Sequence, residues 1–150
     1  MPQSLAKLYI HIIFSTKNRE PLLDRDIQTE LTSYLGGTLS HLDCQPIEIG
    51  GASDHVHILC CLSKNLSLST LIEEIKSSSS KWIKTKEQRL AQFHWQSGYG
   101  GFSVSQSHLN AVIKYIRQQD EHHRKVTFQE EFREFLKKYR VLYDEGYVWD

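Results

Sequence analysis

Asp54-His55-Val56-His57-Ile58-Leu59-Cys60-Cys61-Leu62 is the stretch on which the fold turns. It is a strand-like run in which side chains alternate between two faces. His55 and His57 therefore project together, while Val56, Ile58, Cys60 and Leu62 line the opposite side. Two neutral imidazoles on one face can hold a divalent metal in an open site. A His-x-His pair on a strand is nevertheless more often solvated or hydrogen-bonded than metal-bound, so the metal reading needs further residues.

Immediately upstream, Gln45 to Gly51 reads as a strand, with Pro46 suited to its start or to a sheet edge. Gly50-Gly51 and Ser53-Asp54 make a short connection, so the two strands form a hairpin. Further back, Leu5 to Lys17 alternates as a first strand: Leu8, Ile10, Ile12 and Phe14 share one face, Tyr9, His11, Ile13 and Ser15 the other. His11 would thus face the same surface as the histidine pair. Asn18-Arg19-Glu20-Pro21 breaks this strand. Either Asp24 or Asp26 caps a helix carrying Ile27, Leu31, Tyr34, Leu35 and Leu39, with Gly36-Gly37 as its weak point.

Downstream, Ser67 or Ser69 caps a helix with the apolar stripe Leu68, Leu71, Ile72, Ile75 and Ile83. Its other face carries Lys76, Lys81 and Lys84, and Ser77 to Ser80 adds small hydroxyls; a DNA-phosphate contact and a solvated face fit this pattern equally. Phe93 to Gln96 and Phe102 to Val104 read as short strand pieces around Ser97-Gly98-Tyr99-Gly100-Gly101, a link or hinge. Ser105 or Ser107 caps a helix with Leu109, Val112, Ile113 and Ile116 buried. Thr127-Phe128-Gln129-Glu130 is a capping box opening a last helix whose apolar side is Phe128, Phe132, Phe135, Leu136 and Tyr139. His122-His123 reads as a polar pair near a helix end, and the aromatic tail Tyr143 to Trp149 as a docking segment. This order of elements predicts an α+β domain with a mostly antiparallel sheet, helices packed on one face, in a ferredoxin-like split arrangement. In that arrangement the first and third strands are central, and the histidines lie on the face that the first two helices leave uncovered.

The 150 residues suit one domain spanning 1–150. No apolar run approaches the ~20 residues of a membrane span, and the start has no export signal. Cytoplasmic residence is expected. Cys44, Cys60 and Cys61 suggest reduced, buried residues rather than a disulfide framework. The formal net charge is zero, which excludes coating of nucleic acid by bulk charge. A local basic face remains, since between residues 64 and 89 Lys64, Lys76, Lys81, Lys84, Lys86 and Arg89 outnumber Glu73, Glu74 and Glu87.

Tyr115 and Gln119 lie four apart, hence on one helix face. With a metal on the histidines, a phenol can serve as a nucleophile that forms a reversible ester, and an amide oxygen can join imidazole around Mg²⁺ or Mn²⁺. With His55-Val56-His57, Tyr115-Ile116-Arg117-Gln118-Gln119, Trp95-Gln96-Ser97-Gly98-Tyr99-Gly100 and the first strand in this order, the sequence resembles the single-tyrosine HUH transposases of the insertion sequence 200/605 family and their repeat-associated relatives. The likeness covers nearly the whole chain.

The resemblance implies a dimeric DNA strand transferase, nucleoid-associated in a bacterium, acting on single-stranded ends folded into hairpins. It casts Tyr115 as the nucleophile that becomes joined to a 5′ phosphate, and His55, His57 and Gln119 as ligands of Mg²⁺ or Mn²⁺. No nucleotide cofactor is needed. In this family the tyrosine helix can complete the partner subunit's site, for which Gly98 to Gly101 would be a hinge. Two other classes fit the residues: a metal-dependent phosphodiesterase using water, and a noncatalytic single-stranded nucleic-acid binder stacking bases on Tyr9, Trp82 or Trp95.

Overall fold

A computed structural model describes residues 2–122 and 125–150; His123 of the expected pair lies outside the described residues. The chain runs β1 (Tyr9–Ser15), α1 (Arg25–His41), β2 (Gln45–Gly51), β3 (His55–Cys61), α2 (Leu68–Lys84), β4 (Gly100–Val104), α3 (Leu109–Arg117), α4 (Gln119–His122) and α5 (Phe128–Lys138). The strands pair antiparallel in the order β2-β3-β1-β4. This is the ferredoxin-like order, with the first and third strands central.

On one face, Ile12 and Phe14 of β1 and Val56, Ile58 and Cys60 of β3 pack against α1 and α2. The four buried residues Ile27, Leu31, Leu35 and Leu39 carry α1 straight through Gly36-Gly37. Each buried apolar side chain contributes ~1.5–3 kcal/mol, which outweighs the ~1 kcal/mol that each glycine costs. The caps resolve to Asp24, which accepts from Ile27 N at 3.0 Å, and Ser67, which accepts from Thr70 N at 3.1 Å. Thr127 caps α5, accepting from Glu130 N at 3.2 Å, one of the two bonds of a capping box. Neither Ser105 nor Ser107 caps α3: their hydroxyls bond each other at 3.2 Å, and a 3-10 turn, Gln106–His108, leads into the helix.

The second face is not left open. α3 covers Leu59 and Val104 with Val112 and Ile116, and α5 covers Ile13 and Phe102 with Phe128, Phe132 and Leu136. The cause is in the central strands, which carry apolar residues on both sides and so need cover on both. Two glycines admit these helices: a Cβ on Gly50 would lie 2.9 Å from Ile116 of α3, and one on Gly100 would lie 2.6 Å from the Phe132 ring of α5. Among the described residues no helix is long and apolar enough to cross a membrane.

Candidate active site

Between α3 and α5, over the middle of the sheet, the polar residues of the second face meet. His55 and His57 are both fully buried, as alternation on a central strand dictates, and His11 on β1 lies beside them at 2% exposure. Each imidazole of the pair is held from behind. His55 Nδ1 lies 2.7 Å from Asp54 Oδ1, and His57 Nδ1 lies 2.8 Å from His11 Nε2. These contacts fix both Nε2 atoms toward the same interior point. His11 itself is held neutral, its pKa well below the usual imidazole range, first because of burial and then through His57; Glu131 acts in the opposite sense.

α3 ends at Arg117, and the chain restarts as α4 at Gln119, so Tyr115 and Gln119 straddle a break instead of sharing one continuous helix. The break lets the buried Gln119 side chain reach inward. Its Oε1 lies 3.1 Å from His55 Nε2, while its amide donates to the Tyr115 carbonyl at 3.4 Å and to Glu131 Oε2 at 3.2 Å.

Sequence reasoning passed over Glu131. It sits on α5 at 3% exposure, with Oε1 3.0 Å from His57 Nε2 and 3.6 Å from His55 Nε2. Its other oxygen accepts the Tyr115 hydroxyl, and His122 Nε2 lies 3.4 Å from both that oxygen and the Tyr115 hydroxyl. The signal was present: Glu131 is three residues after Phe128 and four before Phe135, an acid on the apolar stripe of an amphipathic helix.

The ligand atoms of His55, His57 and Glu131 lie within 4.8 Å of one another, so this buried group could hold a metal ion. The donor set fits. Ligands at ~2.1 Å from one ion sit ~3.0 Å apart at adjacent octahedral positions and ~3.4 Å apart in a tetrahedron. The 3.0, 3.1 and 3.6 Å separations among His57, Glu131, His55 and Gln119 are close to these values. Imidazole nitrogens and hard oxygens together suit a borderline or hard divalent cation. Burial, and then the Glu131 carboxylate, push the Tyr115 phenol far above its usual pKa, so it stays protonated at rest.

The three lysines are elsewhere. α2 packs on the opposite face of the sheet, so Lys76, Lys81 and Lys84 do not join the histidine cluster. Lys76 is moreover held in place. Its ammonium donates to the carbonyls of Gln96, Ser97 and Gly98 at 2.7, 3.2 and 2.6 Å, and burial lowers its pKa to about 8. Lys81 is exposed and Lys84 half-buried. The glycine-rich link is likewise pinned: Gly98 N donates to Asp150 O at 2.7 Å, and Gly100 and Gly101 belong to β4. The aromatic tail docks on its own chain, with Trp149 against Phe128 and Phe132 and the guanidinium of Arg133 over its ring.

Comparison with known proteins agrees with this architecture. A family model described as "Transposase IS200 like" matches residues 4–119. A protein of Deinococcus radiodurans R1 assigned as a transposase superposes with a TM-score of 0.62 at 20% identity, covering 79% of this chain and 98% of that one. A REP-associated tyrosine transposase bound to a REP hairpin superposes with a TM-score of 0.62 at 15% identity, covering 84% of this chain and 74% of that one. No curated protein is similar enough in sequence to match.

Proposed function

The chain belongs to the IS200-like transposase family, and from that premise we propose that it cleaves and rejoins single-stranded DNA at hairpin-bearing ends through a covalent 5′-phosphotyrosine on Tyr115. The observation that carries this reading is the convergence, within one chain, of the Tyr115 hydroxyl, Glu131 and the His55–His57 pair. His55, His57 and Glu131 would hold the metal with Gln119 as a further oxygen ligand, and the set suits Mg²⁺ or Mn²⁺. Such an ion, when bound, polarises the phosphate and stabilises the leaving oxygen.

The chain's own groups do the rest. Tyr115 Oη forms a bond to phosphorus as the bond to the 3′ oxygen breaks, and the 3′ oxygen leaves and takes a proton from solvent to become a hydroxyl. Glu131 Oε2 already accepts the hydrogen bond of the phenol, which supports it as the group that would receive the proton. Because the resting phenol is protonated, the nucleophile forms only as that proton moves. Rejoining reverses the steps with another 3′-hydroxyl. One phosphodiester replaces another, so no nucleotide cofactor is consumed.

Lys81 and Lys84 remain the candidates for contact with DNA phosphates; Lys76 already has three acceptors. Homodimerisation follows from the family likeness, and a strictly monomeric mass at micromolar concentration would remove it. The whole reading is tested by incubating the protein with a labelled single-stranded hairpin and Mg²⁺ or Mn²⁺. A covalent protein–DNA adduct supports the transferase. Free cleaved product without adduct points to a hydrolase, and binding without cleavage to a noncatalytic binder.

A further inference from the structure

A cavity of about 580 Å³ opens between α3 and α5, and its floor is the active site itself: His11, Tyr115 and Glu131. We infer that this cavity seats the unstacked nucleobase of the nucleotide that Tyr115 captures by its 5′ phosphate, and so sets which base is accepted there. The inference rests on Tyr115 being the nucleophile.

Position is the first argument. Tyr115 lines the cavity, so the sugar and base of a nucleotide joined to its hydroxyl must lie within a few bonds of that floor. Shape and lining are the second. The volume falls in the range of cavities that enclose small ligands, ~300–1,000 Å³. Ala111 and Val112 of α3 form one wall, and Phe135 of α5 with Tyr139 just past its end the other. The aromatic wall is rigid: Phe135 and Tyr139 both pack on Phe102, with ring centroids at 5.3 and 4.8 Å, and the Tyr139 hydroxyl donates to Ser103 O at 3.1 Å. A fixed aromatic surface facing small aliphatic side chains is a slot for a planar π-system, and every base has such a face.

The rim supplies the third argument. Glu134 and Lys138 lie one turn apart on α5 and border the cavity. Among the described residues neither makes a hydrogen bond or ion pair. They offer an acceptor and a donor to the edge of a base, the kind of pair that discriminates one base from another. The fourth argument is contrast. On the far side of His55 a smaller cavity of about 270 Å³ is bordered by Arg25, Gln28, Arg117 and Gln119. That lining suits a charged sugar-phosphate chain, whereas the mostly apolar wall of the larger cavity suits a base.

The test uses the full-length protein, Mn²⁺ and a pool of single-stranded hairpins with randomised tails, from which covalent adducts are recovered and sequenced. Wild type should enrich one base at the nucleotide joined to Tyr115 by about tenfold, a typical discrimination for stacking plus edge contacts. The double variant E134Q/K138M, altered only at exposed rim positions, should form adducts with that bias reduced to threefold or less. Ala111→Trp, made from an exposed helix position, should fill the slot and lower the yield of adduct at least tenfold, with its melting temperature checked against wild type. Unbiased wild-type adducts, or a bias that survives in E134Q/K138M, would overturn the base pocket while leaving the nucleophile intact. No wild-type adduct with any member of the pool would overturn the transferase reading, and the pocket with it.

Discussion

Replacing Glu131 by Gln tests whether the carboxylate is a metal ligand alongside Gln119. The amide keeps the side chain's length and one oxygen but removes the charge from an atom 3.0 Å from His57 Nε2 and 3.6 Å from His55 Nε2. A cation that binds only the folded chain at about a hundredfold over its Kd stabilises it by ~2.7 kcal/mol. For a chain of this size that is a rise in melting temperature of ~5–11 °C, at ~2–4 °C per kcal/mol. Loss of a supporting or ligating group lowers metal affinity ~10–100-fold. At the same concentration the stabilisation then falls to ~0.4–1.4 kcal/mol, so the shift shrinks to about half or less. Thermal melts of wild type, Glu131→Gln and Gln119→Ala, each with and without Mn²⁺, read this directly, because every variant serves as its own reference. Both variants are expected to shrink the shift; an undiminished shift in Glu131→Gln would refute the carboxylate as ligand, and an undiminished shift in Gln119→Ala would remove the amide.

His57→Ala should abolish both the metal-induced shift and cleavage. Because His57 is fully buried and hydrogen-bonded, it should also lower stability by ~1–3 kcal/mol, read in a urea melt. Lys76→Met should lower stability by a similar ~1–3 kcal/mol through loss of its three carbonyl contacts yet leave the salt slope of DNA binding unchanged. Lys81→Ala and Lys84→Ala should each reduce that slope by about one; the reverse pattern would place Lys76 on the DNA. The raised pKa of Tyr115 has a defined sign. Above the unfolded phenol's pKa of ~10, the unfolded chain loses a proton that the folded chain keeps, so stability falls as pH rises. Wild type should therefore lose stability above pH ~10 relative to Tyr115→Phe, by less than the ~1.4 kcal/mol per pH unit of a fully shielded group because the phenol is partly solvent-exposed, and parallel curves for the two would show that the phenol titrates normally in the fold.

Much of the arrangement was legible because two periodicities sufficed. Alternation along β1 and β3 placed His11, His55 and His57 on one face, and the order of strands and helices led to the observed sheet. What escaped was tertiary. The apolar Ile13, Leu59, Phe102 and Val104 on the histidine side meant that α3 and α5 had to cover it, so the pair is buried, not solvent-facing. Glu131 was hidden by reading α5 only for its aromatics, although an acid on that stripe must find a partner inside. Lys76 gave no sign of its fate, because the carbonyls that hold it come from a loop twenty residues later and backbone acceptors carry no sequence signature.

The most direct measurement is the site of covalent attachment. Wild-type protein incubated with a single-stranded hairpin and Mn²⁺ is digested, and the DNA-bearing peptide is identified by mass spectrometry, with Tyr115→Phe in parallel. The expected result is one adduct, on the peptide containing Tyr115, absent from Tyr115→Phe although that variant still folds and binds the hairpin. An adduct on any other residue, or cleavage that persists in Tyr115→Phe, would contradict the account.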